Sequence, residues 1–82
     1  MLHVGLDLSR RRIDVCVLDE LGEVITEFGS PPDADGLRVL AGGFDCPVRA
    51  VVESMTGARF VHDTLESYGW TVEVADAQRS RR

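Results

Sequence analysis

The sequence predicts an α/β domain with a mixed five-stranded sheet, and three observations support this prediction. Three short segments rich in β-branched residues come first and are joined by tight polar turns, which is typical of consecutive hairpins. Two short apolar runs follow, each preceded by a segment with helical spacing of apolar residues, as in parallel β-α-β units. Because such crossovers are right-handed, the order β-β-β-α-β-α-β predicts the strand order 3-2-1-4-5, with the first strand central.

The first three strands are predicted from apolar patterning between polar turns. The strands cover residues 2–9, 13–18 and 23–28, and the turns cover residues 10–12 and 19–22. The first strand is apolar at nearly all positions except Asp7, and the second is interrupted by Asp14. The third alternates polar and apolar residues, which predicts an edge strand with one solvent-exposed face.

Asp33 is the candidate N-cap of the first helix, and Asp35 lies near the positive end of that helix. Four apolar residues fall on one helical face, namely Leu37, Leu40, Ala41 and Phe44. The glycine pair at residues 42–43 ends the helix. The apolar run at residues 47–52 then predicts a buried parallel strand.

Thr56 is the candidate N-cap of the second helix, and Gly69 ends it. The inner stripe of this helix is predicted to contain Phe60, Val61, Leu65 and Tyr68. Residues 70–75 form the last predicted strand.

Composition and charge limit the possible classes of protein. The chain has 82 residues, of which 44% are hydrophobic and 28% charged, as in one small globular domain. Neither a membrane span nor a signal peptide is predicted. Cys16 and Cys46 form no CxxC pair, and we expect both to be reduced and buried in a cytoplasmic protein. Residues 1–76 carry a net charge of −8, which argues against a free-standing nucleic-acid-binding module.

Two carboxylates lie where packing alone does not explain them. Asp7 interrupts the most apolar strand, and Glu53 ends the fourth. An isolated carboxylate in such a strand costs several kcal/mol unless it is paired or bound to a metal. If the two strands are parallel neighbours, about 5 Å apart, a divalent cation would relieve the repulsion between the carboxylates. The sequence therefore predicts a Mg²⁺ or Mn²⁺ site at Asp7 and Glu53, suited to phosphodiester chemistry.

Structural roles for the same residues are open on the sequence alone. Asp7 could be held by a backbone amide or an arginine, and Glu53 could end its strand facing water. Gly5 either allows close approach of a ligand or relieves crowding in a central strand.

The segments around these acids resemble the DEDD transposases of bacterial insertion sequences. The resemblance rests on His3-Val4-Gly5-Leu6-Asp7-Leu8-Ser9, Ile13-Asp14-Val15 and Val51-Val52-Glu53-Ser54-Met55-Thr56-Gly57. It extends over essentially the whole chain, and includes Asp35-Gly36-Leu37 before the first helix and Val74-Ala75-Asp76-Ala77-Gln78-Arg79 after the last strand. The N-terminal domain of that family is ribonuclease-H-like and similar to the RuvC Holliday-junction resolvase.

The resemblance implies metal-dependent cleavage and rejoining of DNA strands. The family uses four acids in the order Asp, Glu, Asp, Asp; Asp7 matches the first and Glu53 the second, and the others lie further along in the family, beyond residue 82. Relatives carry a serine-bearing C-terminal domain and are guided by a structured RNA. We therefore expect DNA and a guide RNA as partners, a homo-oligomeric full-length protein in a bacterial cytoplasm, and no activity for this chain alone.

Two basic segments are candidate contacts to nucleic acid. One forms either a solvated hairpin turn or a contact to phosphate, and contains Arg10, Arg11 and Arg12. The other is either a frayed end or the start of a nucleic-acid-binding region, and contains Arg79 and Arg81. Residues 1–76 are thus assigned to the ribonuclease-H-like domain, and residues 77–82 to a basic tail that leads into a downstream region.

Other functions share parts of this pattern. Actin-like ATPases and sugar kinases open with the same topology, but they need a Gly/Thr-rich phosphate loop where this chain has Leu8-Ser9-Arg10-Arg11-Arg12. A RuvC-like resolvase outside transposition is the nearest enzymatic alternative. A non-catalytic module for RNA or protein contacts is the third possibility.

Overall fold

The structure, a computed structural model, describes residues 1–75 of the chain. The elements are β1 (Leu2–Leu8), β2 (Ile13–Leu18), β3 (Val24–Ser30), α1 (Ala34–Gly42), β4 (Val48–Glu53), α2 (Ala58–Ser67) and β5 (Thr71–Ala75). This order is the predicted one, and the strand boundaries differ from the predicted boundaries by at most two residues. Within residues 1–75, no helix has the length and apolar character needed to cross a membrane.

The five strands form one mixed sheet in the order β3-β2-β1-β4-β5, which confirms the predicted strand order. The hairpin strands β1, β2 and β3 pair antiparallel. β1 is parallel to β4, and β4 is parallel to β5. The central strand β1 therefore separates the antiparallel half of the sheet from the parallel half.

Both helices pack on one face of the sheet. Leu37 and Leu40 of α1 join Val61 and Leu65 of α2 in a single buried core. The strand residues of this core are Val4, Leu6, Leu8, Ile13, Val15, Val17, Val48, Ala50, Val52 and Val72. Because strand side chains alternate between faces, the residues between them point to the opposite face, which no helix of residues 1–75 covers. We call this second surface the open face.

The N-terminus of α1 is as predicted. The Asp33 carboxylate accepts a hydrogen bond from the Gly36 amide at 2.7 Å, which satisfies one of the amides that a helix start leaves unpaired. Gly36 was expected to precede the helix but lies in its first turn. The predicted apolar face is confirmed: Leu37 and Leu40 are buried, and Ala41 and Phe44 pack against the core partly buried.

The second helix differs from the prediction at its start. Gly57, at φ +93°, is the N-cap of α2, and no side chain of residues 1–75 caps the helix, so Thr56 is not the cap. The buried stripe consists of Ala58, Val61 and Leu65. Phe60 and Tyr68 are 47% and 48% exposed, so their assignment to the inner stripe was wrong. The reason is that Ala58 takes the inner position one turn before Val61, which leaves the two aromatic rings on the flanks.

The C-terminus of α2 is closed by Gly69, as predicted. Gly69 has φ +97°, and its amide donates to the Glu66 carbonyl at 3.0 Å. The Trp70 amide donates to the Leu65 carbonyl at 3.1 Å, which completes a Schellman motif. The buried Trp70 ring packs edge-to-face against Phe44, with 5.6 Å between the ring centroids. This contact joins the end of α2 to the end of α1.

The third strand is more exposed than predicted. Only Ser30 of β3 is buried, whereas an edge strand with one covered face was expected. Thr26 and Phe28 point to the same side as the helices, yet both are exposed. The covering helix α1 reaches only the end of this strand, because Asp33 starts the helix three residues after Ser30.

The cysteines are both free, as expected, but they are not both buried. Cys16 is half-buried on β2, and Cys46 is exposed in the loop between α1 and β4. The prediction of burial is wrong for Cys46 because the residue lies outside the apolar run that forms β4.

Candidate functional site

The open face of the sheet places Asp7 and Glu53 side by side. Leu6 of β1 is the register partner of Val52 of β4 in the parallel pair. Asp7 and Glu53 are the next residues of these two strands, and adjacent strands lie about 4.8 Å apart. Both side chains are exposed and line the same depression. The expected juxtaposition of the two carboxylates on one side of the sheet is therefore confirmed; their catalytic and metal-binding roles stay predictions.

The exposure of both acids corrects one step of the sequence-based argument. Asp7 was expected to suffer the desolvation cost of a carboxylate within a buried strand. The strand is instead buried on one face only, so Leu6 and Leu8 enter the core while Asp7 points to the open face. Burial therefore does not destabilise this carboxylate, and what remains is repulsion between neighbouring negative charges.

A third carboxylate, that of Asp14, lies close to Asp7. The two aspartates are directly opposed in the antiparallel pair of β1 and β2. Asp14 Oδ1 accepts from Arg12 Nε at 2.9 Å, whereas Asp7 and Glu53 have no ion-pair partner within residues 1–75. Like charges directly opposed across two strands are destabilising. Arg12 therefore compensates one of three neighbouring negative charges.

These residues line a shallow depression of about 650 Å³, which we call the acidic groove. Its side chains include Asp7, Arg12, Asp14, Glu27 and Glu53. Gly5 also lines the groove, and a Cβ atom added there would meet nothing within 4 Å. The space around Gly5 within residues 1–75 therefore accommodates at least one further carbon atom. The missing side chain widens the groove beside Asp7.

The three arginines of the turn between β1 and β2 lie in different places. The Ser9 amide donates to the Arg12 carbonyl at 3.0 Å, which closes the turn. Arg12 then reaches back to the acidic groove, while Arg10 and Arg11 are exposed. Arg10 lines a separate small depression with Met55 and Thr56. The candidate contacts Arg79 and Arg81 lie outside the described residues.

The residues that could hold a metal ion are two adjacent carboxylates. Among residues 1–75, no three His, Cys, Asp or Glu side chains converge as a metal-binding group. Asp7 and Glu53 fit a hard, oxygen-preferring ion such as Mg²⁺, which is commonly held by one or two carboxylates and completed by water.

Sequence reasoning did not assign Asp14 and Arg12 to the acidic site. Asp14 was noted as an interruption of the second strand and as part of the resemblance, and Arg12 as a candidate contact to nucleic acid in the turn. The available signal was alternation: Asp14 lies between Ile13 and Val15, which are both buried. In a hairpin with a two-residue or slightly longer loop, this alternation puts Asp14 on the same face as Asp7.

A comparison of the chain with models of protein families and with curated proteins found no match.

Proposed function

We propose that this chain is the N-terminal part of a metal-dependent DNA transposase or recombinase with a ribonuclease-H-like domain. The observation that supports the proposal best is the position of Asp7 and Glu53 at neighbouring register positions of two parallel strands, both on the open face. Two exposed carboxylates so close together repel each other and do not stabilise the fold. A divalent cation bound between the two carboxylates would explain their proximity.

Asp7 and Glu53 would each contribute carboxylate oxygens to Mg²⁺ or Mn²⁺, and water and phosphate oxygens would take the other positions. When bound, such an ion supplies charge neutralisation for a phosphodiester and activates a nucleophile. The protein's own contribution is orientation: β1 and β4 are central strands fixed by pairing on both sides, so both carboxylates are held on a rigid surface.

The surroundings of the acids also suit a phosphodiester backbone. Gly5 has no side chain, and among residues 1–75 an added Cβ atom would meet nothing within 4 Å there, which leaves space beside Asp7 for a phosphodiester. Arg12 lines the groove, and the exposed Arg10 and Arg11 precede it in the same turn, where they can contact phosphates that flank the cleaved bond. The acidic body repels phosphate elsewhere, which restricts binding to this region.

The finer parts of the proposal come from the resemblance to DEDD transposases. These are the third and fourth acids further along the chain, a serine-bearing domain, a guide RNA, and oligomerisation of the full-length protein. A RuvC-like resolvase would use the same two carboxylates on the same strands. Cleavage of insertion-sequence ends rather than four-way junctions by the full-length protein would distinguish the two enzymes.

The decisive experiment is DNA cleavage by the full-length protein with Glu53→Gln, which keeps the side-chain size and removes the charge. We expect cleavage to be lost while DNA binding persists, because binding depends on basic residues and shape. Glu27→Gln is the matched control: Glu27 lines the same groove but lies two strands away from β1, and its variant should cleave normally. Normal cleavage by the Glu53→Gln protein would disprove the role of Glu53 as a metal ligand.

Metal binding can be measured on this chain alone. Mn²⁺ broadens NMR signals near its site, so titration should first broaden the amides that follow Asp7 and Glu53. Asp7→Asn should weaken this effect, and Glu27→Gln should not. Equal broadening along the whole acidic groove in all three proteins would mean diffuse attraction of cations and no defined site.

A further inference from the structure

The edge strand β3 offers main-chain hydrogen-bonding groups that no strand of residues 1–75 uses. The Leu2 amide donates to Pro47 beside β4, and the Ser9 amide donates to Arg12 of the β1–β2 hairpin. Alternation of the antiparallel ladder from these two bonds directs the amides of Thr26, Phe28 and Ser30 toward β2. β3 has a bulge where Val17 pairs with Thr26 and Leu18 pairs with Val24, so this alternation applies from Thr26 onward. The amide and carbonyl groups of Glu27 and Gly29 therefore point outward from the sheet.

An apolar groove of about 630 Å³ runs between β3 and α1, directly beside this edge. Phe28 and Pro31 line one side, and Val39 and Phe44 line the other. Val39 is 67% exposed and Phe28 is 41% exposed, so both present apolar surface to solvent. A strand added to β3 would place alternate side chains in this groove, on the helical side of the sheet.

The opposite edge of the sheet is blocked at its start by a side chain, whereas the bulge that interrupts β3 lies before Thr26 and leaves the Glu27–Gly29 part of that edge regular. At the start of β5, the Val72 amide donates to Glu66 Oε2 of α2 at 2.8 Å. A side chain thus takes the hydrogen bond that an added strand would need. Proteins commonly block their sheet edges against pairing with other chains. The contrast indicates that β3 is the edge available for an added strand.

The charge around β3 selects among possible strands. Residues 23–35 contain Glu23, Glu27, Asp33 and Asp35 and no basic residue. Pairing of β3 with β3 of a second copy would bring these four negative charges against four more, which disfavours a homodimer through this edge. Glu27 points to the open face, whereas Phe28 points to the helical side. The complementary strand therefore has basic side chains on one face and apolar side chains on the other.

We infer that β3 and the apolar groove form a docking surface for an extended basic–apolar segment of another polypeptide, which binds as a sixth strand of the sheet. Main-chain hydrogen bonds to Glu27 and Gly29 give affinity, and the apolar groove and the Glu27 side chain give specificity. This interaction is separate from the proposed nuclease function, because the carboxylates of Asp7 and Glu53 take no part in it.

The test uses a fluorescent peptide of alternating valine and arginine, with fluorescence anisotropy and NMR as readouts. We expect saturable binding to the wild-type chain and protection of the Glu27 and Gly29 amides from hydrogen exchange. A peptide with glutamate in place of arginine should not bind. N-methylation of the alternate peptide amides that face β3 should weaken binding about tenfold or more, because several main-chain bonds are lost. N-methylation of the other amides should have little effect.

Variants of the protein test the same surface from its own side. Glu27→Pro removes an outward amide but no bond to β2, and it should weaken binding about tenfold. Glu27→Gln keeps the main-chain amide and should lower only the salt-dependent part of the binding affinity. Equal binding of both N-methylated peptides, or protection of amides elsewhere, would overturn strand addition. Sedimentation that shows a wild-type dimer abolished by Glu27→Pro would identify a second copy as the occupant and would also overturn the inference.

Discussion

At the scale of single residues, the open face is governed by repulsion among carboxylates that packing does not require. Asp7 has Asp14 opposite it on β2 and Glu53 next to it on β4. Among residues 1–75, only Asp14 of these three acids has an arginine partner, Arg12, and this pair is at least half-exposed and therefore weak. A protein that needs only stability would replace such residues with Thr or Val, which favour strands. Their arrangement is understandable if function sets it.

Asp7→Asn should therefore stabilise the metal-free protein. Removal of one of the adjacent like charges is worth about 0.5 kcal/mol, which corresponds to a rise in Tm of about 2–4 °C for a domain of this size. Thermal melts in chelator-containing buffer measure the effect, and added Mg²⁺ should reduce or reverse the difference. Glu73→Gln on β5 of the same face is the control and should change the Tm less. A large loss of stability would instead identify Asp7 as a structural hydrogen-bond acceptor.

Gly5→Val should separate stability from function. Among residues 1–75, an added Cβ atom meets nothing within 4 Å, and valine suits a strand, so the free energy of unfolding should stay the same or rise by about 0.4–1 kcal/mol. The side chain fills the space beside Asp7, and displacement of a bound phosphodiester by about 1 Å can cost a hundredfold in rate. Cleavage by the full-length protein should fall accordingly. Undiminished cleavage would show that the substrate does not approach Gly5.

At the scale of elements, local signals in the sequence predicted the strands well and one helix poorly. Asp33 caps α1 with its own side chain, and Gly69 ends α2 through its own backbone, so both roles were predictable from the sequence. The start of α2 was not, because Gly57 replaces a side-chain cap with a left-handed conformation. The prediction of the inner stripe was wrong for a related reason. Phe60 is a large apolar residue and was therefore assigned to the core, but the small Ala58 packs against the sheet instead.

The first turn of α1 holds a close contact that the sequence does not reveal. A Cβ atom at Gly36 would collide with the backbone carbonyl of Pro31, whereas one at Gly42 would meet nothing within 4 Å. Gly36→Ala should therefore force a backbone shift and cost about 1–3 kcal/mol. Gly42→Ala is the matched control in the same helix and should stabilise by about 0.5–1 kcal/mol. Urea unfolding of both variants measures this, and equal effects would contradict the close approach of α1 to the β3–α1 loop.

At the scale of the whole molecule, topology brings the acids together and packing leaves them accessible. Asp7 and Glu53 are 46 positions apart in the chain, and their juxtaposition requires β4 to pair with β1. The strand order was predictable because crossovers have one handedness. The exposure of the acids was not, because it depends on both helices packing on the same face. An alternating sequence does not specify which of its faces is covered.

The distribution of charge is also a property of the whole molecule. Residues 1–76 hold six arginines against fourteen acids, and three of the six arginines lie in the turn between β1 and β2. The remaining three are Arg38 on α1, Arg49 on β4 and Arg59 on α2. A nucleic acid that approaches the open face therefore meets three of these positive charges at the turn and one at Arg49, whose neighbours Val48 and Ala50 are buried. The turn should consequently account for a disproportionate share of the electrostatic attraction in this domain.

The double variant Arg10→Ala/Arg11→Ala of the proposed full-length protein tests how much of the electrostatic attraction to DNA comes from the turn. Each phosphate contact contributes about 0.9 to the slope of log affinity against log salt, so loss of two contacts should reduce the slope by up to about 2. Arg38→Ala combined with Arg59→Ala removes the same charge from the helical side of the sheet and should leave the slope nearly unchanged. DNA binding measured at several salt concentrations gives both slopes. If the two double variants lose the same slope, overall charge and not the arginine turn governs the contact. If neither loses any, the turn is a solvated hairpin.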